Sequence, residues 1–513
     1  MCATSSSDQA HIAVIGAGIA GLTAALRLVG AGHRVTVLER HAAPGGKMRT
    51  IPSAAGPIDA GPTVLTLRGV FDALFASVGE RVEDHIELIP LTTLARHFWP
   101  DGSQLDLFAD EGANRDAVSA FAGEDAAKQF DAFCKRTRRL FEAFDAPMMQ
   151  APVPHLASLT AHVLRQPSLI PAMAPLSSLR SVLKQSFNDP RLAQLFGRYA
   201  TYVGGAPHRA PAILSLIWQA EAQGVWTPRG GMHAFARAIA DLATSKGAEF
   251  SYGAHVARIS MESGRIDAVH LEDGTKITCD GIVHAGDPRA LAAGGLGAAV
   301  TGIASQTLTL PRSYSARVHS FAATPCGPDL SFHNVFFDQD PMAEFDALER
   351  GEIPQDPTLY ICALDRAEGT PPDLERFEII SNAPASAAAD QPEELEQWHL
   401  RTMQTMQTHF GMSFSPIPSP QSVTTPQTFA RMFPHSLGAL YGQSPHGLMA
   451  AFQRPTARTK IPGLYLAGGG THPGAGVPMA ARSGLHAAEA ILNDRISTSQ
   501  SNPTAMRGGM STA

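Results

Sequence analysis

Three glycines near the N-terminus, Gly16, Gly18 and Gly21, have the spacing G-x-G-x-x-G. They follow a short apolar run at residues 12–15 and precede an apolar stripe at helical spacing within residues 19–29. In such a strand–turn–helix unit the first glycine permits a tight turn, the second lets the backbone approach a pyrophosphate, and the third lets the helix pack closely. Because the free N–H groups at the start of a helix attract phosphates, this stretch predicts an adenine dinucleotide site.

An acidic residue, Glu39, stands about twenty residues after the glycines, at the end of a second predicted strand over residues 34–38. Its carboxylate would accept hydrogen bonds from a ribose hydroxyl and would repel a 2′-phosphate, which disfavours NADP. We include the neighbouring Arg40 in the predicted cofactor site. The apolar run over residues 12–30 also imitates a transmembrane segment or a signal peptide, but Arg27 and the spaced glycines argue against both.

The composition limits which classes of function are open to this chain. At 513 residues it is long enough for two or three domains. A formal charge of −7 does not favour nucleic-acid binding. The 5 cysteines form no C-x-x-C pair and the 20 histidines no H-E-x-x-H, so we predict neither a metal site nor a disulfide framework. The short polar start shows no cleavable signal, and a reducing cytoplasm is expected.

A second glycine pair follows the second predicted strand directly. Residues 44–50 contain Gly45, Gly46 and Lys47, and this segment resembles the extended fingerprint of the amine oxidase and carotenoid desaturase flavoproteins. In that superfamily a glycine pair and a basic residue pass under the flavin. Gly61, just downstream, lies in a segment that resembles another flavin-side segment of the superfamily. A surface loop with glycine turns is the alternative interpretation, and the resemblance favours FAD over NAD.

The chain then resembles these enzymes in a first return to the nucleotide-binding domain, over residues 224–290. A helical pattern is followed by short strands that we predict to form one meander, beginning with residues 249–252. In FAD enzymes of this fold the backbone near Val256 meets the adenine. An independent hairpin module is the alternative.

A second return is predicted near the C-terminus. A strand at residues 461–467 runs into glycines that include Gly469 and Gly476, followed by Val477 and a helix from about residue 478 to residue 492. The N–H groups at the start of that helix would point at the flavin's N1–C2=O edge. There they would stabilise the negative charge that develops when the flavin accepts a hydride.

Along nearly its whole length the chain resembles the bacterial phytoene desaturase-type carotenoid desaturases, and within them it looks closest to the 1-hydroxycarotenoid 3,4-desaturases. One departure is Arg482, which stands where an uncharged residue is expected before Ser-Gly. The segments that carry the family resemblance are residues 12–50, 59–63, 203–207, 224–232, 333–337 and 470–478. Those that point to the subgroup are residues 438–442, 446–447, 452–455 and 477–480.

The resemblance implies an FAD-dependent desaturase that introduces a C3–C4 double bond into acyclic 1-hydroxycarotenoids, which are lipophilic C40 chains. Hydride would leave C4 for the flavin, and a proton would leave C3 of the delocalised cation. Because such a cation needs little acid–base help, alignment would supply most of the catalysis, and we assign no catalytic side chain. The terminal electron acceptor would be oxygen or a quinone. A phytoene desaturase or a saturase of the same family, or a non-enzymatic relative like the prenyl-protein escort proteins, are the alternatives.

A water-insoluble substrate requires contact with a bilayer, and one segment suits it. Between Asp145 and Asp189 the chain carries no acidic residue, while Arg165, Arg180 and Lys184 stand among many apolar residues. Apolar faces with sparse basic residues favour anionic lipid, and the prolines make the segment too short to span. The alternative is a helical lid over a substrate tunnel. We therefore expect a cytoplasmic protein that associates peripherally with the inner or photosynthetic membrane.

The predicted fold class is α/β, with a Rossmann-like FAD-binding domain that is discontinuous in sequence and a mixed α+β substrate domain with a helical part. The expected ranges are residues 8–85, 225–290 and 455–495 for the first domain, residues 86–224 and 291–454 for the second, and residues 496–513 for a disordered tail.

Overall fold

The computed structural model, which describes residues 9–388 and 391–500, places the N-terminal glycines at the carboxyl end of the central strand of a five-stranded parallel sheet. Three separate stretches of the chain supply the strands, and the predicted α/β fold with a Rossmann-like sheet is confirmed. In order across the sheet the strands are Leu464–Leu466, Gly281–His284, His11–Ile15, Arg34–Glu39 and Glu249–Tyr252.

The strand Glu249–Tyr252 differs from the prediction. We assigned it to the meander, but it pairs in parallel with Arg34–Glu39 and forms the edge of the parallel sheet. A short strand followed by a turn is compatible in sequence with either sheet. Only the long-range pairing determines to which sheet the strand belongs. The antiparallel meander itself is three-stranded and packs on one face of the parallel sheet. Its strands are Val256–Glu262, Arg265–Leu271 and Lys276–Thr278.

Three helices cover the other face of the parallel sheet, and together they bury its core. They are Ile19–Gly30, Met232–Ser245 and Val477–Gln500, which we call the first, middle and last helix. Asp59 links two predicted segments, because its carboxylate accepts hydrogen bonds from the backbone N–H groups of Met232 and His233 at the start of the middle helix. The last helix continues past residue 496, where we predicted a tail to begin, and residues 501–513 lie outside the described residues.

A mixed sheet of eight strands makes up the second layer. Side chains alternate along its strands: Phe336, Ile361, Phe377 and Ile379 pack with Met406 of a helix on one face. The other face is open to a cavity described below. The strands along its main path are Ser413–Ser415, Ser315–Cys326, Glu375–Ala383, Leu359–Ala363, His333–Phe336, Thr93–Phe98 and Gln104–Phe108, with Val423–Thr424 beside Ser315–Cys326. Two short pairs, Thr50–Ile51 with Ile58–Asp59 and Leu88–Pro90 with Trp226–Pro228, complete the strands.

A helical part covers one end of the eight-stranded sheet. Among the residues that the structure describes, no helix is both long and apolar enough to cross a bilayer. The helices of this helical part are Glu111–Ala122, Glu124–Phe144, Leu156–Arg165, Leu169–Met173, Leu179–Ser186, Pro190–Gly197 and Ile217–Ala222, with a π-helical turn at Asp145–Gln150. The remaining α-helices are Gly69–Ala76, Arg289–Ala292, Pro341–Glu349, Pro392–Phe410 and Pro426–Met432.

Arg482, the departure noted in the sequence, connects the last helix to this helical part. Its guanidinium lies 3.7 Å from the carboxylate of Asp145, and both side chains are largely buried. The charge in the last helix therefore has a partner that sequence spacing does not reveal.

The first and last helices approach each other so closely that a glycine is required. A Cβ atom on Gly484 would lie 2.2 Å from the carbonyl oxygen of Ala20 and 3.1 Å from Thr23 Cβ. Ser483, next to it, accepts a hydrogen bond from the backbone N–H of Gly468 at 3.2 Å. The helix contact and this hydrogen bond together hold the C-terminal glycine loop close to the N-terminal one.

Replacing Gly484 by alanine should lower the free energy of unfolding by about 1–3 kcal/mol, because the added methyl group has no room. Gly69→Ala is the matched control, since Gly69 starts a helix and a Cβ there meets no atom within 4 Å. Chemical denaturation of both variants measures the difference. Equal stabilities for the two variants would contradict the close packing of the helices.

Candidate active site

A cavity of about 980 Å³ lies between the carboxyl ends of the parallel strands and the open face of the eight-stranded sheet. Its size is near the upper end of the usual range for ligand sites, about 300–1,000 Å³. Every residue of the predicted cofactor site except Gly21 lines it. These lining residues are Gly16, Gly18, Glu39, Arg40, Gly45, Gly46, Lys47, Gly61, Val256, Gly469, Gly476 and Val477.

Gly21 has a packing role instead. A Cβ atom there would lie 1.9 Å from the carbonyl oxygen of Gly16 and 3.2 Å from Ala285 Cβ. The third glycine therefore lets the first helix pack directly on the sheet, as the spacing predicts.

The start of the first helix is open to the cavity. No side chain caps it, and Gly18, Ile19 and Ala20 line the cavity wall, so its N–H groups and positive dipole end are available to an anion. Beside it the buried Glu39 carboxylate accepts hydrogen bonds from the backbone N–H groups of Ala17 at 2.7 Å and His41 at 2.9 Å. These bonds hold the carboxylate at the end of its strand.

Gly46 and Gly18 lie against each other at the cavity floor. A Cβ on Gly46 would come 3.0 Å from Gly18 Cα, so the second glycine pair passes the first loop at backbone distance. Lys47 follows and donates a hydrogen bond to the carbonyl oxygen of Leu440. Burial lowers the pKa of Lys47 to about 8. Because this value is still above 7, the amine stays largely protonated at neutral pH.

The C-terminal glycines form the opposite wall. Gly476, at φ +102°, meets no atom within 4 Å of a Cβ position, and Val477 begins the last helix beside it. His472 does not line the cavity; its Nε2 atom is 2.9 Å from the carbonyl oxygen of Ala151. This histidine therefore packs the glycine loop against the helical part, as a structural residue would.

Arg454 is a buried cation that the sequence analysis did not place in the site. Its guanidinium donates to the carbonyl oxygens of Gly469 at 2.7 Å and Gln443 at 3.0 Å, and to that of Tyr441. Burial lowers the pKa of Arg454 to about 10. Arg454 thus ties the loop over residues 441–443 to the glycine block. Both segments had been singled out by resemblance, but no spacing rule predicts their contact.

The eight-stranded sheet forms an apolar roof over the cavity. Val318, Ile380, Tyr360 and Val335 are register partners across four neighbouring strands, and all four line the cavity. This row would hold an extended hydrocarbon chain against the cavity floor. Of the four, only Val335 lies in a run, residues 332–337, that the sequence makes a candidate for tunnel lining, and ordinary core packing explains that run equally well.

The sequence pattern of the flavin containing amine oxidoreductase family matches residues 19–492. The chain belongs to this family. It is 53% identical over 494 residues to a hydroxyneurosporene desaturase of Rhodobacter capsulatus, covering 96% of this chain and 100% of that one. It is 33% identical to a phytoene dehydrogenase of Streptomyces griseus, with 98% of each chain covered.

Solved structures of other proteins show the same fold. A putrescine oxidase bound to putrescine matches with a TM-score of 0.61 at 12% identity, over 94% of this chain and 99% of that one. The family match and the desaturase relative make the protein an FAD-dependent oxidoreductase.

The residues of the cavity fit FAD. The Nη1 atom of Arg40 is buried and has no hydrogen-bond partner among the described residues, although Arg40 lines the cavity. A pyrophosphate or ribose oxygen would satisfy it. The uncapped start of the first helix supplies further N–H donors for the phosphates. The floor at Gly18 and Gly46 carries no side chains and so leaves space for the cofactor.

Proposed function

We propose that this flavoenzyme introduces a C3–C4 double bond into acyclic 1-hydroxycarotenoids of the hydroxyneurosporene type. The observation that carries the proposal is the 53% identity to a hydroxyneurosporene desaturase across the whole length of that protein. The match to a phytoene dehydrogenase is 20 percentage points lower (53 − 33) at similar coverage, which favours the hydroxylated substrate over phytoene.

The cavity supports a reaction on a hydrocarbon chain. FAD supplies the hydride acceptor, and the protein's own residues place the substrate against it. The row from Val318 to Val335 would align the polyene, and its apolar side chains would exclude water. Alignment and desolvation are the main contributions that such a site makes to hydride transfer. We propose oxygen or a quinone as the terminal acceptor.

The predicted residues divide between the two ends of FAD. We propose that Glu39, Arg40 and Val256 face the adenosine, while Gly16 and Gly18 approach the pyrophosphate. This division is supported by the cavity, which runs along the strand ends from one group to the other.

At the flavin end we propose contacts from Lys47 and Gly61 on one side and from Gly469, Gly476 and Val477 on the other. The N–H groups at the start of the last helix would stabilise negative charge on the flavin. Arg454 would act as a positioning residue, since it holds the loops of both sides through backbone carbonyl groups.

Product analysis of the purified holoenzyme in liposomes tests the proposed substrate. We expect 1-hydroxyneurosporene to gain one double bond at C3–C4, and phytoene and neurosporene to be converted far more slowly. Chromatography with absorption spectra identifies the products, because each added double bond lengthens the chromophore. Conversion of phytoene with no conversion of the hydroxylated substrate would refute the proposal.

We further propose that the helical part contacts the membrane. Five large apolar side chains within residues 151–178 are exposed, and Leu176 and Leu164 are 99% and 67% exposed. Arg180 and Lys184, just after them, line the cavity. The apolar surface and the cavity wall thus adjoin, which would let a carotenoid pass from bilayer to site without crossing water. The five are Val153, Leu156, Leu164, Ile170 and Leu176.

Vesicle sedimentation tests this contact. The double variant Leu164→Ser/Leu176→Ser should bind vesicles of phosphatidylcholine and phosphatidylglycerol at least about tenfold more weakly, because two leucine side chains no longer enter the lipid. The matched control is Leu400→Ser/Ile417→Ser, whose leucine and isoleucine are 58% and 76% exposed elsewhere on the surface. Equal vesicle binding by both double variants would contradict the proposed surface.

A further inference from the structure

A buried ionic cluster adjoins the apolar cavity. The guanidinium of Arg198 donates a hydrogen bond to the hydroxyl oxygen of Tyr202 at 2.6 Å and lies 3.7 Å from the carboxylate of Glu221. Tyr202 and Tyr199 each donate a hydrogen bond to that carboxylate, both at 2.5 Å. Only 9% of the Arg198 side chain and 5% of the Glu221 side chain are exposed.

The cluster is charge-balanced but not fully satisfied. The Nε atom of Arg198 is buried without a hydrogen-bond partner among the residues that the structure describes. Burying an ion pair costs desolvation free energy, and a replacement by apolar side chains is often neutral or stabilising. A cavity that held only hydrocarbon would not need such a cluster in its wall.

Two of the four members of the cluster reach the cavity, and Tyr199 and Glu221 do not. Arg198 and Tyr202 line the cavity, whereas Tyr199 does not and is 1% exposed. The polar groups are therefore presented to a ligand from one side only. Tyr199 gives the cluster a hydroxyl of the same type that lies outside the cavity and donates to Glu221.

A second polar group faces the same part of the cavity. The Thr63 hydroxyl and the Tyr360 hydroxyl are 2.6 Å apart, and both residues line the cavity. Tyr360 in turn lies 2.5 Å from Nδ1 of His333. Burial lowers the pKa of His333 to about 3, and the nearby charge of Arg198 contributes to the shift. Tyr202 and Tyr360 also pack against the same buried apolar cluster, which places the two polar groups on one side of the molecule's core.

The chemistry of the substrate requires its hydroxyl to lie in this region. Only three carbon–carbon bonds separate C1, which carries the hydroxyl, from C4, which must face the flavin. The hydroxyl therefore binds beside the flavin and not at the far end of a long cavity. Thr63 follows the segment of Gly61 that we place at the flavin, so the polar groups around Thr63 are at the required depth.

Another polar patch in the cavity wall does not meet this requirement as well. Glu344 accepts a hydrogen bond from Asn382 at 2.7 Å, and both residues line the cavity. Asn382 lies two residues further along its strand than Ile380, the register partner of Tyr360, which is a displacement of about 7 Å. Both oxygens of the Glu344 carboxylate also have partners already, since one accepts a hydrogen bond from Asn382 and the other from the backbone N–H of Thr358.

We propose that Arg198, oriented by Tyr202 and Glu221, donates a hydrogen bond to the C1 hydroxyl oxygen of the substrate and so selects hydroxylated carotenoids. The inference rests on the proposed function, whose substrate carries that hydroxyl. A donor that is buried with the substrate rejects an analogue that lacks the acceptor, because the donor then stays unpaired. The hydroxyl oxygens of Thr63 and Tyr360 would accept the hydrogen bond that the substrate hydroxyl donates.

The test compares two tyrosine variants of the holoenzyme in liposomes. Neurosporene, which lacks the hydroxyl, serves as a competitor of 1-hydroxyneurosporene, and the readout is the inhibition constant of the competitor divided by the Michaelis constant for the hydroxylated substrate. We expect Tyr202→Phe to lower this ratio about tenfold, because Arg198 loses the group that orients it. Tyr199→Phe removes the matching hydroxyl outside the cavity and should change the ratio by less than about twofold.

Two variants of the cation complete the test. Arg198→Lys keeps a donor and should retain part of the discrimination, while Arg198→Met should lower the ratio more than Tyr202→Phe does. If Arg198→Met does not fold, the tyrosine pair decides. Equal ratios in Tyr202→Phe and Tyr199→Phe, or an unchanged ratio in Arg198→Lys and Arg198→Met, would overturn the proposal. Failure of the wild-type enzyme to convert any 1-hydroxycarotenoid would overturn the proposed function, and this inference with it.

Discussion

The site depends on the close contact between the first and last helices, where Gly484 lies against the carbonyl oxygen of Ala20. Residues 16–21 and 469–477 are more than four hundred positions apart, yet they must reach the same cavity. Helices can approach this closely only where one of them carries no side chain. The contact therefore holds the helices that follow the two glycine loops against each other, so that both loops line one cavity.

From that contact the rest of the architecture follows. The parallel sheet presents its carboxyl strand ends to the cavity, which is where open α/β sheets bind ligands. The eight-stranded sheet closes the opposite side with a row of three aliphatic side chains and Tyr360. Arg454 ties the loop over residues 441–443 to the C-terminal glycines. On the proposed function, one cavity would serve both the cofactor and a long hydrocarbon, so that alignment could replace acid–base groups in the reaction.

The sequence predicts the local parts of this site well. Gly16, Glu39, Gly46 and Gly476 stand out because each belongs to a short motif whose backbone geometry is dictated by neighbouring residues. The parts that it does not predict are long-range pairings. The strand Glu249–Tyr252 belongs to a different sheet from the one expected, because the sequence of a four-residue strand does not determine which strand it pairs with.

The same limit explains the unexpected cations. Arg454 acts on backbone carbonyl groups and Arg198 on a glutamate 23 positions away, and neither arrangement has a spacing that a sequence pattern reveals. Arg482 looked out of place until the structure showed Asp145 beside it. The partners of such buried charges are distant along the chain, so a sequence pattern does not reveal them. The structure does, because a buried charge needs a partner close in space.

The central claim is that a flavin held by both ends of the chain takes hydride from a 1-hydroxycarotenoid in the same cavity. Anaerobic mixing of the oxidised holoenzyme with 1-hydroxyneurosporene in liposomes tests it most directly, with flavin absorbance and carotenoid products followed together. We expect one flavin to be reduced for each C3–C4 double bond formed. Formation of the product while the flavin stays oxidised, or no reaction in a holoenzyme that retains its FAD, would contradict it.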